Sequence, residues 1–397
     1  MFRPARRLDG IAEYYFAAKL REIAQLRQSG VSVLNLGIGS PDLPPAPAVI
    51  AALQASAGEP SSHAYQPYAG IPALRHAWAG WYRRWYGAML DPEGEILPLI
   101  GSKEGIVHVA MAFLEPGDVA LVPDPGYPAY RAASALAGAA VRTYPLDAAG
   151  GWLPDLNALD KTDLRPAKIM WINYPHMPSG AAASPAFFQR VVDFGLKHHI
   201  LIVNDNPYSF ILNDRPLSIW SARGARDTAL ELNSLSKSHN LAGWRVGVAT
   251  GHPEHLQAIL RFKSNMDSGQ FLPIQMAAVQ ALQLPDTWYR DLNTTYGARQ
   301  AHAFALLDLL DCTYERRQQG MFVWARIPGS AENGYALSDR LLHETGVFLT
   351  PGGIFGPAGD PYIRISLCSP ADTREEAYRR IKANLPAASQ ALSLSRF

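Results

Sequence analysis

From residue 119 to residue 250, short apolar runs alternate with stretches of helical periodicity, and no other feature constrains the fold of this chain more tightly. The runs at 119–123, 168–173 and 200–205 are continuously apolar, which is the pattern of strands covered on both faces. Residues 230–233 and 245–250 predict two more strands, and helical patterns lie between, as at 184–198. Alternation of this kind predicts an α/β fold with a large, mostly parallel sheet flanked by helices. Loops at the carboxyl ends of such strands are where open α/β sheets bind ligands.

The pattern changes near residue 288. A long polar helix to 310, strands at 322–327, 347–350 and 363–367, and helices at 335–344 and 373–385 predict a smaller α+β domain. An amphipathic helix at 11–28, stopped by Ser29-Gly30, and a short strand at 33–37 are expected to join it. The expected division is a discontinuous small domain, 1–45 with 287–397, around a large domain of 46–286. The helix predicted at 74–86 carries Trp78, Trp81, Tyr82, Trp85 and Tyr86, so it is expected to bury against a domain core or a second subunit.

Lys+Arg 36 against Asp+Glu 35 leaves no field suited to nucleic acid or an acidic membrane. No apolar run reaches the roughly 18–20 residues of a membrane span, and no apolar core follows Arg3, Arg6 and Arg7, so neither a span nor a signal peptide is expected. Two cysteines, Cys312 and Cys368, make no disulfide framework and fit a reducing cytoplasm.

The chemistry centres on Lys237, in Ser234-Leu235-Ser236-Lys237, with Arg245 eight residues on. A lysine amine bonds the carbonyl of an aldehyde. The hydroxyls of Ser234 and Ser236 and the planar fork of Arg245 suit a phosphate. A phosphorylated aldehyde held this way is pyridoxal phosphate (PLP). Asp205 ends an apolar run and reads either as counter-charge to a protonated pyridine nitrogen or as the start of the turn Asp205-Asn206-Pro207. Tyr208 can donate to the ring's phenolate oxygen or cover the sheet edge. Ser102 and Lys103, in Gly101–Gly105, begin a helix whose N–H groups can face an anion, though most such turns bind nothing. Tyr127, between Pro125 and Pro128, either stacks on a ring or packs. Arg364 lies within an apolar strand and must find an anion, from a substrate carboxylate or from an internal Asp or Glu. Cys/His metal spacings, a Gly-x-Ser-x-Gly elbow and a Gly-x-x-x-x-Gly-Lys-[Ser/Thr] loop are all missing, so no metal is expected, and His198-His199 reads as a helix-end pair.

Taken together, these residues resemble the class I/II aminotransferases, PLP enzymes with the aspartate aminotransferase fold (fold type I). The resemblance spans nearly the whole chain. Leu36 to Asp42 is similar to the family's N-terminal glycine motif, Ser234 to Gly247 (SLSKSHNLAGWRVG) to its lysine signature, and Asp205-Asn206-Pro207-Tyr208 to its ring-nitrogen and phenolate motif. The resemblance implies that Lys237, Asp205 and Tyr208 are catalytic and that Arg364, with Ile38 and Gly39, holds the substrate. It implies that Ser102, Lys103, Tyr127, Asn173, Ser234, Ser236 and Arg245 bind the cofactor, and that Tyr65 reaches the phosphate of a neighbouring subunit in a homodimer. The segments 101–105 and 263–269 look most like the LL-diaminopimelate aminotransferase branch. The implied reaction moves an amino group between an L-amino acid and a 2-oxo acid, with 2-oxoglutarate and glutamate expected as one pair. A carbon–sulfur β-lyase on the same fold is the alternative.

One position departs from the family. Where its Asn-Pro-[Thr/Ser]-Gly motif supplies an Asn donor to the phenolate oxygen, this chain has Met177, and a thioether cannot donate. Asn173 and His176 are the neighbours that can substitute, and Tyr208 is expected to carry most of the contact.

Overall fold

The computed structural model describes residues 2–9, 11, 13 and 15–385. Expectations for residues 1, 10, 12, 14 and 386–397, the end of the expected small domain among them, lie outside the described residues. Twelve strands are present among those described: β1 Leu34–Asn35, β2 Ile96–Leu99, β3 Val119–Asp124, β4 Ala140–Pro145, β5 Ala167–Ile172, β6 Leu201–Asp205, β7 Ala229–Ser234, β8 Gly247–Gly251, β9 Phe322–Arg326, β10 Val347–Phe348, β11 Thr350–Pro351 and β12 Tyr362–Ser366.

Seven of them form one sheet in the order β2-β8-β7-β6-β5-β3-β4. From β7 to β4 every neighbour is parallel; β8 alone runs against both β7 and β2. Side chains alternate across the sheet with period two, and each face finds its own cover. Met170, Ile172 and Ile202 pack with Phe188 and Val191 of the helix Pro185–His198, whereas Ile169, Trp171 and Val203 pack with Ile106 and Val109 of the helix Ser102–Phe113. The fold is therefore α/β, a mostly parallel sheet between helices, as the alternation predicts.

Two strands escape the sequence pattern. β2 contains Pro98 and β4 is largely solvent-exposed, and both are edge strands, where an unbroken apolar run is not required. The aromatic helix Pro72–Tyr86 resolves in favour of a core: Trp78, Trp81 and Tyr82 are buried with Ala277, Ala278 and Val248 of the same chain. His198 pairs with Asp160 at the end of its helix, and His199 caps it in the left-handed region at φ 56°.

The remaining strands make two small sheets. β11, β12 and β9 are antiparallel, and β1 runs parallel to β10, so residues near the N-terminus share a sheet with the C-terminal part. The predicted strand at 33–37 shortens to two residues because Asn35 Oδ1 accepts from the N–H groups of Gly37 and Ile38 and turns the chain out of the sheet.

Candidate active site

The carboxyl ends of β5, β6 and β7 and the turn after β2 open on one cavity of about 610 Å³. It is lined by Ile38, Gly39, Ser102, Lys103, Tyr127, Asn173, Asp205, Tyr208, Ser234, Ser236, Lys237, Arg245 and Arg364. Of the sequence-predicted site residues only Tyr65 is elsewhere: it is 90% exposed and does not line the cavity of its own chain.

Lys237 follows β7 in the single turn Leu235–Ser238, and its Nζ donates to Gly39 O at 2.8 Å. Burial holds its amine below the ordinary lysine range, and the nearby Arg364 and Arg245 add to the effect. Asp205 is 4% exposed. Its Oδ2 accepts from the Tyr130 hydroxyl at 2.8 Å, and its Oδ1 is buried with no hydrogen-bond partner among the described residues. Burial raises this carboxyl to about 7, Tyr130 pulls it back, and the negative Glu231 nearby pushes it up again. An open carboxylate oxygen in a dry site is where the protonated nitrogen of a pyridine ring fits.

The phosphate end is built from backbone. Gly101, at φ 86°, turns the chain into the helix Ser102–Phe113, whose first N–H groups receive no side-chain cap. Arg245, itself left-handed at φ 58°, places Nη1 2.8 Å from Ala242 O and 3.4 Å from Ser236 Oγ. A Cβ on Gly101 would lie 2.1 Å from Arg245 Nη2, and one on Gly247 would lie 2.7 Å from the Ser102 nitrogen, so this close approach requires glycine at both. Ser234 donates to Ser236, completing a cluster of donors around one end of the cavity. Under the cradle, Glu104 accepts from Ile100 N–H and lies 3.1 Å from His108 Nε2, while Lys263 neutralises Asp267 at 2.8 Å. These ligand atoms of Glu104, His108 and Asp267 come within 4.8 Å of one another, an approach that sequence spacing alone did not suggest.

At the other end, Arg364 on β12 donates to Gly37 O at 2.9 Å and to Met177 Sδ at 3.4 Å, with the Phe322 ring 3.8 Å and the Phe355 ring 4.7 Å from its guanidinium carbon. Burial raises the Tyr208 phenol above its usual range. Its ring meets Phe322 edge-on.

The two neighbours of Met177 differ in what they can offer in place of the missing Asn donor. His176 does not line the cavity: its ring nitrogens meet Ser179 Oγ at 2.7 Å and Pro125 O at 3.2 Å, and burial lowers it to about 3. Asn173 does line it: one hydrogen of its amide nitrogen is taken by the Asp205 carbonyl, its oxygen accepts from Met177 N–H, and the second amide hydrogen is left as a donor. Sequence reasoning missed Tyr130, whose partner is distant in sequence, and Phe16, Leu20, Phe322 and Phe355, which supply apolar lining.

The comparisons with known proteins agree with this geometry. The sequence profile of the family described as "Aminotransferase class I and II" matches residues 31–381. LL-diaminopimelate aminotransferase of Dehalococcoides mccartyi is 40% identical over 379 residues, covering 95% of this chain and 97% of its own. The same enzyme of Desulforudis audaxviator is 41% identical over 386 residues, covering 97% and 98%. The solved apo structure of BacF from Bacillus subtilis superposes with a TM-score of 0.93 at 35% identity, covering 97% of this chain and 99% of that one. With a lysine, an open aspartate oxygen and a donor-lined anion cradle around one cavity, the chain belongs to the class I and II aminotransferases and is a PLP-dependent transaminase of fold type I.

Proposed function

We propose that this transaminase moves the α-amino group of an L-amino acid to a 2-oxo acid, with 2-oxoglutarate and glutamate as one pair and an LL-diaminopimelate-like donor as the other. The names of the relatives at 40–41% identity support the donor class and lend none to a carbon–sulfur lyase. The observation that carries the reading is the meeting of Lys237, the open Oδ1 of Asp205 and Arg364 around one cavity.

When bound, PLP supplies a carbonyl for the substrate nitrogen and a cationic ring that accepts the electron pair freed at the α-carbon. Ser102 and Lys103 through their N–H groups, Ser234, Ser236 and Arg245 hold its phosphate, and Tyr127 covers its ring. Asp205 keeps the ring nitrogen protonated. Tyr208 donates on the phenolate side. Arg364, with the Ile38-Gly39 backbone beside it, takes the α-carboxylate through its fork of donors and so orients the α C–H bond. Lys237, whose amine burial holds below the ordinary lysine range, moves the proton at the α-carbon. In the proposed division into domains 1–45 with 287–397 and 46–286, Arg364 and Lys237 lie on different domains.

The exposed Tyr65 is proposed to complete the phosphate site of a second copy, in a cytoplasmic homodimer. Light scattering of the purified protein at the mass of two chains, and a weaker hold on PLP in Tyr65→Phe, are expected; a monomer of unchanged affinity ends that reading.

The main test adds PLP to the apoprotein, reduces with borohydride and maps the adduct. Modification of Lys237 is expected. LL-diaminopimelate, glutamate, aspartate and aromatic amino acids are then offered singly, and conversion of the bound cofactor to its amine form is followed by absorbance. No adduct at Lys237 overturns the assignment, and conversion by glutamate but not LL-diaminopimelate overturns the donor class alone.

A further inference from the structure

Glu231 is fully buried on β7, opposite Asn204 on β6, and does not line the cavity. Its Oε1 accepts from the Tyr82 hydroxyl at 3.1 Å and from Ser218 Oγ at 2.9 Å. Its Oε2 accepts from Asn204 Nδ2 at 2.9 Å and from Ile219 N–H at 3.0 Å. Burial holds this carboxyl above its ordinary range, and the four donors that converge on it pull back toward its charged form. The bonds also reach the chemistry. Asn204 is the residue before Asp205. Next to Ser218, the Leu217 carbonyl accepts from Asn206 Nδ2 at 2.9 Å and from Ser209 Oγ at 3.3 Å, the residues that flank Asp205 and Tyr208. Glu231 therefore grips the Asp205–Ser209 turn from both sides.

We infer that Glu231 is a positioning residue for the cofactor ring, fixing the Asp205–Tyr208 turn and, through its own buried charge, raising the demand for a cation at Asp205 Oδ1. A negative charge behind Asp205 makes a second negative charge costly unless a positive one faces it. The ring nitrogen that enters protonated is then favoured over any neutral ring of the same shape. The inference rests on the PLP reading above.

The two parts separate in Glu231→Gln. The amide oxygen can accept from Asn204 and Ile219, and the amide nitrogen can donate to Tyr82 and Ser218, whose hydroxyls accept as well as donate. Geometry is kept and charge removed. The test measures the affinity of the full-length apoprotein for PLP and for its 1-deaza analogue, in which the ring nitrogen is carbon. Wild type is expected to prefer PLP, and Glu231→Gln to lose about tenfold of that preference, the change that one unit in a proton affinity brings. Glu231→Asp, which keeps the charge, is expected to retain most of it. A merely structural residue would change both affinities together and leave their ratio alone. An unchanged ratio in folded Glu231→Gln overturns the inference; failure of wild type to bind PLP overturns the reading beneath it instead. Should Glu231→Gln not fold, Ser218→Ala removes one neutralising donor and is expected to widen the ratio about threefold, as a less neutralised charge would. A ratio that stays put there overturns it equally.

Discussion

Asp205 is held by one phenol and left open on its other oxygen, so its charge state depends on few groups. Tyr130→Phe removes the donor that steadies the carboxylate, and Asp205 then moves further above its range. More of it is neutral at pH 7, and the attraction for a cationic ring weakens. A hydrogen bond to a charged group contributes about 1.5–3 kcal/mol, so PLP affinity is expected to fall about tenfold or more, with an unaltered circular dichroism spectrum. Fluorescence titration measures it, and an unchanged dissociation constant would remove Tyr130 from the site. Met177 poses the complementary case. With His176 turned away and Asn173 holding one amide hydrogen on backbone, Tyr208 is expected to carry most of the contact to the phenolate oxygen. Met177→Asn adds one, so the pH midpoint of the visible absorbance change of the PLP-loaded enzyme should drop. A midpoint that holds or rises contradicts this. Asp205 and Arg364 were legible in sequence because apolar surroundings make a charged residue conspicuous, and Lys237 because hydroxyls and an arginine stand close to it in the chain. Tyr130 and Glu231 were not. Tyr130 meets Asp205 across 75 residues, and Glu231 is one acid among many until Tyr82, Ser218 and Asn204 surround it.

At the scale of elements, the phosphate cradle is a meeting of one helix start and one extended loop. Gly101→Ala places a methyl group at the Arg245 guanidinium and a side chain at φ 86°, ψ 154°, a region all but reserved for glycine that costs another residue about 1–3 kcal/mol. The guanidinium is the part that can move, so the variant is expected to fold, melt a few degrees lower and hold PLP at least tenfold more weakly. Calorimetry with and without cofactor reads both, and a full-strength hold would show that Arg245 is not needed where it lies. The central strands were legible as runs because both faces are covered; β2 is apolar too but interrupted by Pro98, and β4, mostly exposed at the other edge, carries no such mark.

For the whole molecule, a buried acid raised to about 7 is a liability while the cofactor is away. Its folded value exceeds its unfolded one, so the stability it allows is complete below about pH 4 and is lost as pH rises through about 7. Apoprotein carrying Asp205→Asn should match wild type near pH 4 and exceed it progressively toward pH 8, by up to about 4 kcal/mol. Saturating PLP should reverse the order, because the carboxylate then faces a cation. Thermal melts across that range test both halves, and parallel curves for the two apoproteins would argue against a raised Asp205.

The short strip Gly37-Ile38-Gly39 accepts from both ends of the chemistry: Lys237 rests on Gly39 O, and Arg364 on Gly37 O, which also receives Thr350 Oγ1 at 2.8 Å. A carboxylate at Arg364 and an aldehyde at Lys237 would each compete with these carbonyls, so three residues of main chain would meet both events. Recognition and proton handling are in this sense geared through a single backbone strut, and a shift of that strut retunes the two in step.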